Sequence, residues 1–172
     1  MERFDERITF DELVDLAPHT VKRKLEQLKF MKERPDFHPE PNVYAHIKIV
    51  TERLMKTGDA DLVMAGMLHD ICKLDTVREN KKTGWPTSPG HDKEAHNLIK
   101  ELPSIQGWIT SMNGNPDTVA NICLNHMRFH QLEEMREAKR KAQIEKWIEE
   151  GIYDQLVTFG RADDMLTEFK LD

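Results

Sequence analysis

The sequence predicts an all-α protein, a compact bundle of six or seven helices. Two observations carry that prediction. Apolar residues recur at spacings of three and four along most of the chain, the period of a helix face, and no stretch alternates over a strand's length. The periodic segments are also bounded by residues that start and stop helices, among them Asn42, Gly58, Pro103, Asn115-Pro116 and Gly151.

In chain order, residues 1–18 are acidic and end at Pro18. Thr20 can cap a helix to about Glu33, with Val21, Leu25 and Leu28 on one side. "RPDFHPEP" then interrupts the pattern with three prolines. It separates an N-terminal helical appendage, residues 1–39, from a main domain, residues 40–172. Asn42 can cap a helix over about 43–57, stopped by Gly58. Asp59 or Asp61 begins another, running to about Cys72. Residues 74–90 read as loop, and a helix resumes over about 91–102. Residues 104–114 are ambiguous. Asn115-Pro116 opens a helix to about 130, and "LEEMREAKRKAQIEKWIEEG" reads as one or two charged helices ending at Gly151. A last helix spans about 152–168.

A chain of 172 residues suits one domain, and 38% hydrophobic residues can form its core. A net charge of −6 argues against an extended nucleic-acid surface or an anionic-membrane surface. The two cysteines cannot make a disulfide framework, which points to a reducing, cytoplasmic setting. "MERFDERITF" lacks the apolar core of a signal peptide, and no apolar run approaches the roughly 18 residues of a membrane span.

The eight histidines are the unusual feature, and their placement matters more than their number. His46 lies on the stripe Val43, Ile47, Val50, Leu54. Alone, it reads as a satisfied core histidine. His69 and Asp70 end a segment that is apolar nearly all round. Alone, the pair reads equally as a helix-end cap or a metal ligand pair. His126 follows Val119, Ile122 and Cys123 on an inner face, while His130, one turn later, reads as a solvent or helix-dipole contact. In the last helix Ile152, Leu156, Phe159, Asp163 and Leu166 share one stripe, which puts Asp163 inside and Asp164 on a flank. A buried carboxylate needs a cation or donors. Three helices that each place a histidine or aspartate on the apolar face, with a fourth ending in His69-Asp70, converge most simply on a shared cation. Imidazole and carboxylate suit zinc, manganese, iron, cobalt or nickel, and a bundle interior is a known place to hold such an ion.

These residues resemble the HD superfamily of metal-dependent phosphohydrolases, which are all-α. "AGMLHDICKLDT" is similar to its LLHDIGKPxT segment, "SPGHDKEAHNLI" to YGHExxGAxL, "ICLNHMRFH" to VxxHMR and "FGRADDM" to RADA. In this order the four segments resemble the HD domain of bacterial CCA-adding tRNA nucleotidyltransferases, over roughly residues 40–168. No nucleotidyltransferase head is recognisable. Cys72 stands where the pattern has glycine, and His96 falls where it has a small residue, so His96 is read as a non-ligand. The resemblance implies a first metal held by His46, His69, Asp70 and Asp163, with His91 and His126 serving a second metal or the substrate, and Asp70 bridging. It leaves one ion or two open.

The activity implied is hydrolysis at phosphorus. A divalent ion lowers the pKa of its water to about 7, and the hydroxide so supplied attacks. Asp70 can also hold a proton of that water. Lys73, Arg128 and Arg161 are assigned to substrate phosphate, each with an alternative reading as ordinary surface charge; Arg128, two residues after His126, points away from it on an ideal helix. The loop carrying Arg78, Lys81, Lys82 and Trp85 could cover a substrate or simply be solvated. The expected substrate is a small nucleotide or an RNA end, such as a 2′,3′-cyclic or 2′-phosphate. The alternatives are a free-nucleotide or dinucleotide polyphosphate hydrolase and, in another class, a non-catalytic metal-containing nucleotide-binding module.

Overall fold

Capping residues set the element boundaries in the computed structural model of the protein, which describes residues 3–171; Met1, Glu2 and Asp172, at the ends of the two expected domains, lie outside the described residues. Thr9 and Glu12 form a reciprocal capping box that starts α1, Phe10–Asp15. α2 is His19–Leu28; Pro18 rather than Thr20 occupies its cap position. Asn42 accepts from the Ala45 amide at 2.7 Å and opens α3, Val43–Met55. Asp59 accepts from the amides of Asp61 and Leu62 and opens α4, Ala60–Leu68. A hairpin of two-residue strands, β1 Arg78–Glu79 and β2 Pro86–Thr87, interrupts the expected loop. α5 is His91–Glu101 and α6 is Pro103–Ser111. Asn115 caps α7, Pro116–His130, with proline in its first turn. A short 3₁₀ turn, Leu132–Glu134, leads to α8, Glu137–Glu150, which Gly151 ends in the left-handed conformation. α9 is Tyr153–Asp163.

The described residues thus form nine α-helices, not six or seven. The additional ones, α1 and α6, have six and nine residues, too few turns for a periodic signal to rise above its surroundings. α9 also ends five residues before the expected limit. Asp164 is already extended, and Leu166, expected on the inner stripe, is 62% exposed.

α4 organises the bundle. Every residue in it except Asp61 is buried, and it packs against α3, α7 and α9. A helix apolar on all sides has to be central. Gly66 permits the close approach of α3: a β-carbon there would lie 3.2 Å from Thr51 Cα and 3.0 Å from Leu54 Cδ1. Gly160 does the same between α9 and α7, where a β-carbon would lie 2.5 Å from the Phe129 ring. Both glycines lie beside helix ends that carry site residues. The guanidinium of Arg53 on α3 donates to the carbonyls of Ala162 and Asp164 at 3.1 and 3.0 Å, pinning the end of α9 and with it Asp163.

The N-terminal segment shares this core. Phe4, Phe10, Leu13, Val21, Leu25, Leu28 and Met31 are buried in the same apolar cluster as α3 and α4, and the Val43 amide donates to the Met31 carbonyl at 2.9 Å. Among the described residues, no helix is long and apolar enough to cross a membrane.

Candidate metal centre

Five elements bring their side chains to one point. His46 comes from the first turn of α3, His69 and Asp70 from the turn that ends α4, His91 from the start of α5, His126 from the inner face of α7 and Asp163 from the last turn of α9. His46, His69, Asp70 and Asp163 each offer one ligand atom, and these lie within 4.8 Å of one another. Asp70, His91 and His126 form a second such group.

Asp70 belongs to both groups through different oxygens. Its Oδ2 lies 3.1 Å from His69 Nε2 and 3.4 Å from His46 Nε2. Its Oδ1 lies 3.1 Å from His91 Nε2 and 3.6 Å from His126 Nε2. Asp163 Oδ1 completes the first group, at 2.8 Å from His46 Nε2 and 3.2 Å from His69 Nε2. Ligand atoms about 2.1 Å from a shared ion and about 90–110° apart stand about 3.0–3.4 Å from each other, so these spacings suit a coordination shell.

Hydrogen bonds on the outer side of the rings fix the chemistry of the inner side. The Nδ1 atoms of His69, His91 and His126 donate to the carbonyls of Gly66, Ser88 and Cys123 at 2.8, 2.8 and 2.6 Å. A carbonyl can only accept, so each Nδ1 carries the proton and each neutral Nε2 presents a lone pair. His46 Nδ1 likewise faces the Glu40 carboxylate at 2.5 Å. With the rings neutral, four imidazoles would turn lone pairs, beside two carboxylates, into a largely buried space. His91 Nε2 and His126 Nε2 face each other at 3.2 Å, acceptor against acceptor when both rings are neutral. This donor-poor arrangement fits a divalent cation, and the outer bonds are the partners that orient metal-binding histidines.

Protons answer the same electrostatic demand. Burial disfavours the imidazolium of His46, but its bonds to Asp163 and Glu40 prevail and hold its pKa up at about 9. Burial likewise opposes charge on His69, and the fields of Asp70 and Asp163 overcome it, to about 10. The carboxyls of Asp70 and Asp163 are held well below the usual range despite burial, chiefly by His69, aided by Lys73 and His130 respectively. His126 goes the other way: burial and the neighbouring His69 push its pKa down. The cysteines take no part in these groups. Burial raises the Cys72 thiol to about 12 and Cys123 further still, and neither belongs to a candidate cluster.

The remaining expected residues divide. Lys73 is buried beside the centre, with Nζ 3.5 Å from Asp70 Oδ2, and is paired with Glu33 at 2.7 Å. Arg128 is exposed, and its Nε donates to Gln143 on α8, which commits it to the α7–α8 seam. Arg161 is exposed on α9. His96 lies half-buried on α5, its Nδ1 3.4 Å from the neighbouring Asn97 side chain, and belongs to neither group of ligand atoms. Arg78, Lys81, Lys82 and Trp85 are exposed on the hairpin.

Four neighbours of the centre escaped the sequence reading. His130 Nε2 lies 2.6 Å from Asp163 Oδ2, with its side chain 35% exposed. It follows His126 by one turn, and that spacing was the available signal. Glu33 lies beyond Leu28, where α2 ends short of the expected Glu33, and His38 and Glu40 come from the segment of three prolines, which has no periodicity to indicate direction. His38, Glu40 and His46 could formally group around an ion, and within that group His46 Nδ1 and Glu40 Oε1 already lie at hydrogen-bond distance.

A model of the HD domain matches residues 42–154, about two thirds of the chain. It stops before Asp163, and Glu33, His38 and Glu40 precede it. The multifunctional CCA protein of Stenotrophomonas maltophilia (strain R551-3) is 26% identical over 117 residues, covering 67% of this chain and 27% of that protein. The multifunctional CCA protein of Xanthomonas campestris pv. campestris (strain B100) is 24% identical over 123 residues, covering 70% and 28% respectively. The chain thus spans little more than a quarter of the length of the curated relatives it matches. No solved structure matches. With the model match covering most of the bundle and the all-α fold agreeing with it, the chain belongs to the HD domain family, whose members are typically metal-dependent hydrolases.

Proposed function

We propose that this protein is a metal-dependent phosphohydrolase acting on the phosphate of a nucleotide or an RNA end, with two divalent ions as its cofactor. One observation carries the reading: Asp70 presents one oxygen to His46 and His69 and the other to His91 and His126, in a centre lined by acceptors. His46, His69, Asp70 and Asp163 would hold one ion, and His91, His126 and Asp70 the other.

Bound divalent ions supply a water acidic enough to act as a nucleophile near pH 7 and offset the charge on a phosphoryl group. The chain's part is to hold the reacting groups. Four imidazoles and two carboxylates are fixed by burial and by outer hydrogen bonds, so little reorganisation is left for the reaction itself. Asp70 would be the group that holds a proton of the attacking water. Lys73 holds positive charge behind Asp70; burial opposes that charge, but Asp70 and Glu33 overcome it and keep its pKa above the ordinary lysine value. A bond from Lys73 to substrate phosphate would share the Nζ donors with Glu33. Arg161 is the other cation of the proposed phosphate contacts. The Gln143 bond argues against Arg128 in that role.

The likeness to CCA proteins supports an RNA-end or cyclic-nucleotide substrate, and the net charge of −6 supports a small one. Two buried free cysteines agree with a cytoplasmic setting. The test is turnover of 2′,3′-cyclic nucleotides, nucleoside monophosphates, dinucleotide polyphosphates and bis-aryl phosphates with Mn²⁺, Co²⁺, Ni²⁺, Fe²⁺ or Zn²⁺, using Asp70→Ala as control. Metal-dependent hydrolysis lost in the variant is expected. Metal-loaded protein that binds nucleotide and hydrolyses none of these substrates would identify a non-catalytic module instead.

A further inference from the structure

Three of the four converging histidines are oriented by the backbone, each by the carbonyl three residues before it: Gly66 for His69, Ser88 for His91 and Cys123 for His126. His46 is different. Its Nδ1 is held by a side chain, the carboxylate of Glu40, at 2.5 Å. The Glu40 side chain is 2% exposed and that of His46 1%. Glu40 stands between Pro39 and Pro41. Pro39 fixes its own φ, and Pro41 drives Glu40 toward an extended backbone, so the side chain leaves a stiffened loop. Asn42 then starts α3, which places His46 one turn inside the helix. Burying a carboxylate is costly without partners, and Glu40 Oε2 has none among the described residues. Besides His46, the histidine facing this carboxylate is His38, with Nδ1 at 3.5 Å from Oε1.

We propose that Glu40, which lies outside the residues matched by the HD domain model, is a positioning residue of the metal centre: it holds His46 with Nδ1 protonated and Nε2 turned toward Asp70 and Asp163. The proposal rests on the reading of His46 as a metal ligand. A carboxylate partner also makes the imidazole a stronger donor than a carbonyl partner does, so His46 is the most electron-rich of the four rings. The segment around the three prolines thereby contributes to the centre instead of merely leading into it.

The experiment compares the full chain with Glu40→Gln, which keeps an accepting oxygen and loses the charge, and Glu40→Ala, which loses both. Asp36→Asn, in an exposed ion pair with Arg34 on the same segment, controls for disturbance of the loop. Zn²⁺ affinity is measured by competition with a chromophoric chelator. The His46 ring tautomer is read by ¹⁵N NMR of the zinc-loaded protein. Loss of an outer partner typically weakens metal binding about 10–100-fold, the range expected for Glu40→Ala, with a loss of about 3–10-fold for Glu40→Gln. Asp36→Asn should match wild type. The Nδ1–H signal of His46 should persist in Glu40→Gln and broaden or disappear in Glu40→Ala, a change that a merely structural role would not produce. Affinity of Glu40→Ala within about twofold of wild type, with its His46 signal intact, overturns the proposal. If Glu40→Ala does not fold, Glu40→Gln decides: unchanged affinity overturns the proposal, and the expected loss supports it. Wild-type protein that takes up no divalent ion would overturn the metal reading itself, a different result from wild type and variant binding alike.

Discussion

The two sides of Asp70 differ in charge more than in shape. Toward His46 and His69, the carboxylates of Asp70, Asp163 and Glu40 crowd around two imidazoles, and both rings are drawn to hold protons near neutral pH. Toward His91 and His126, Asp70 Oδ1 is the one carboxylate oxygen in the group, and burial favours the neutral form of His126. The first side has surplus negative charge that a proton or a metal must neutralise. The second is close to neutral and offers lone pairs without a strong field. Their affinities for a cation should therefore differ, with the His46 side filling first and emptying last.

The largest effect should come from removing what the two sides share. Asp70→Ala is expected to lower metal-dependent hydrolysis by at least about 1000-fold and to abolish tight uptake of both ions, as measured by elemental analysis after gel filtration. Retention of one full equivalent would show that one side assembles without Asp70. A smaller and more selective effect is expected from His126→Ala, which leaves the His46 side intact. Protein loaded with two ions should retain one, and a calorimetric titration should lose its weaker phase only. Loss of both phases would refute the independence of the two sides.

The third prediction concerns pH. His46 and His69 have folded-state values of about 9 and 10, above the ordinary value of 6.5. In chelator-treated protein their contribution to stability is fully present below about pH 6.5 and is lost as pH rises through 9 and 10. Asp70 and Asp163 are depressed below 3.8, so their contribution is present above that value and lost as pH falls through their lower folded values. As far as these groups decide it, the metal-free protein is most stable between about pH 4 and 6.5. Metal binding on the His46 side must displace protons, so apparent affinity there should rise between about pH 6.5 and 9 more steeply than on the His126 side. Chelator competition at several pH values measures both slopes, and equal slopes would remove the proposed charge difference.

How far the centre was legible from the chain depended on regular periodicity. His46 and Asp163 could be found because each interrupts an apolar stripe, and a helix face fixes which way a residue points. His69 and Asp70 could be found because the run before them was too apolar to lie anywhere but inside. The expected placement of Leu166 failed for a related reason: the stripe continues in the sequence, but the helix ends at Asp163, where Arg53 from α3 bonds the carbonyls around that end. His130 shares a helix with His126 but lies near its exposed end, and only the position of α9 brings Asp163 to it. Glu33 was expected at the end of a helix that in fact stops at Leu28, and Glu40 had no period to read. Their directions depend on how a loop with three prolines closes over α3 and α4. Arg128 shows the converse, since its helical phase already turned it away from His126 and the structure seats it against Gln143.

By itself, the sequence determined the all-α class, the central helix α4, the boundaries marked by Asn42, Asn115 and Gly151, and the inward phase of His46, His126 and Asp163. These follow from local backbone chemistry and from the burial that periodic apolar faces require. Tertiary structure alone decided which oxygen of Asp70 faces which histidine pair, that Lys73 is taken up by Glu33, and that Glu40 stands behind His46. Those are contacts between segments up to 56 residues apart or across irregular loops, and their geometry exists only once the helices have packed.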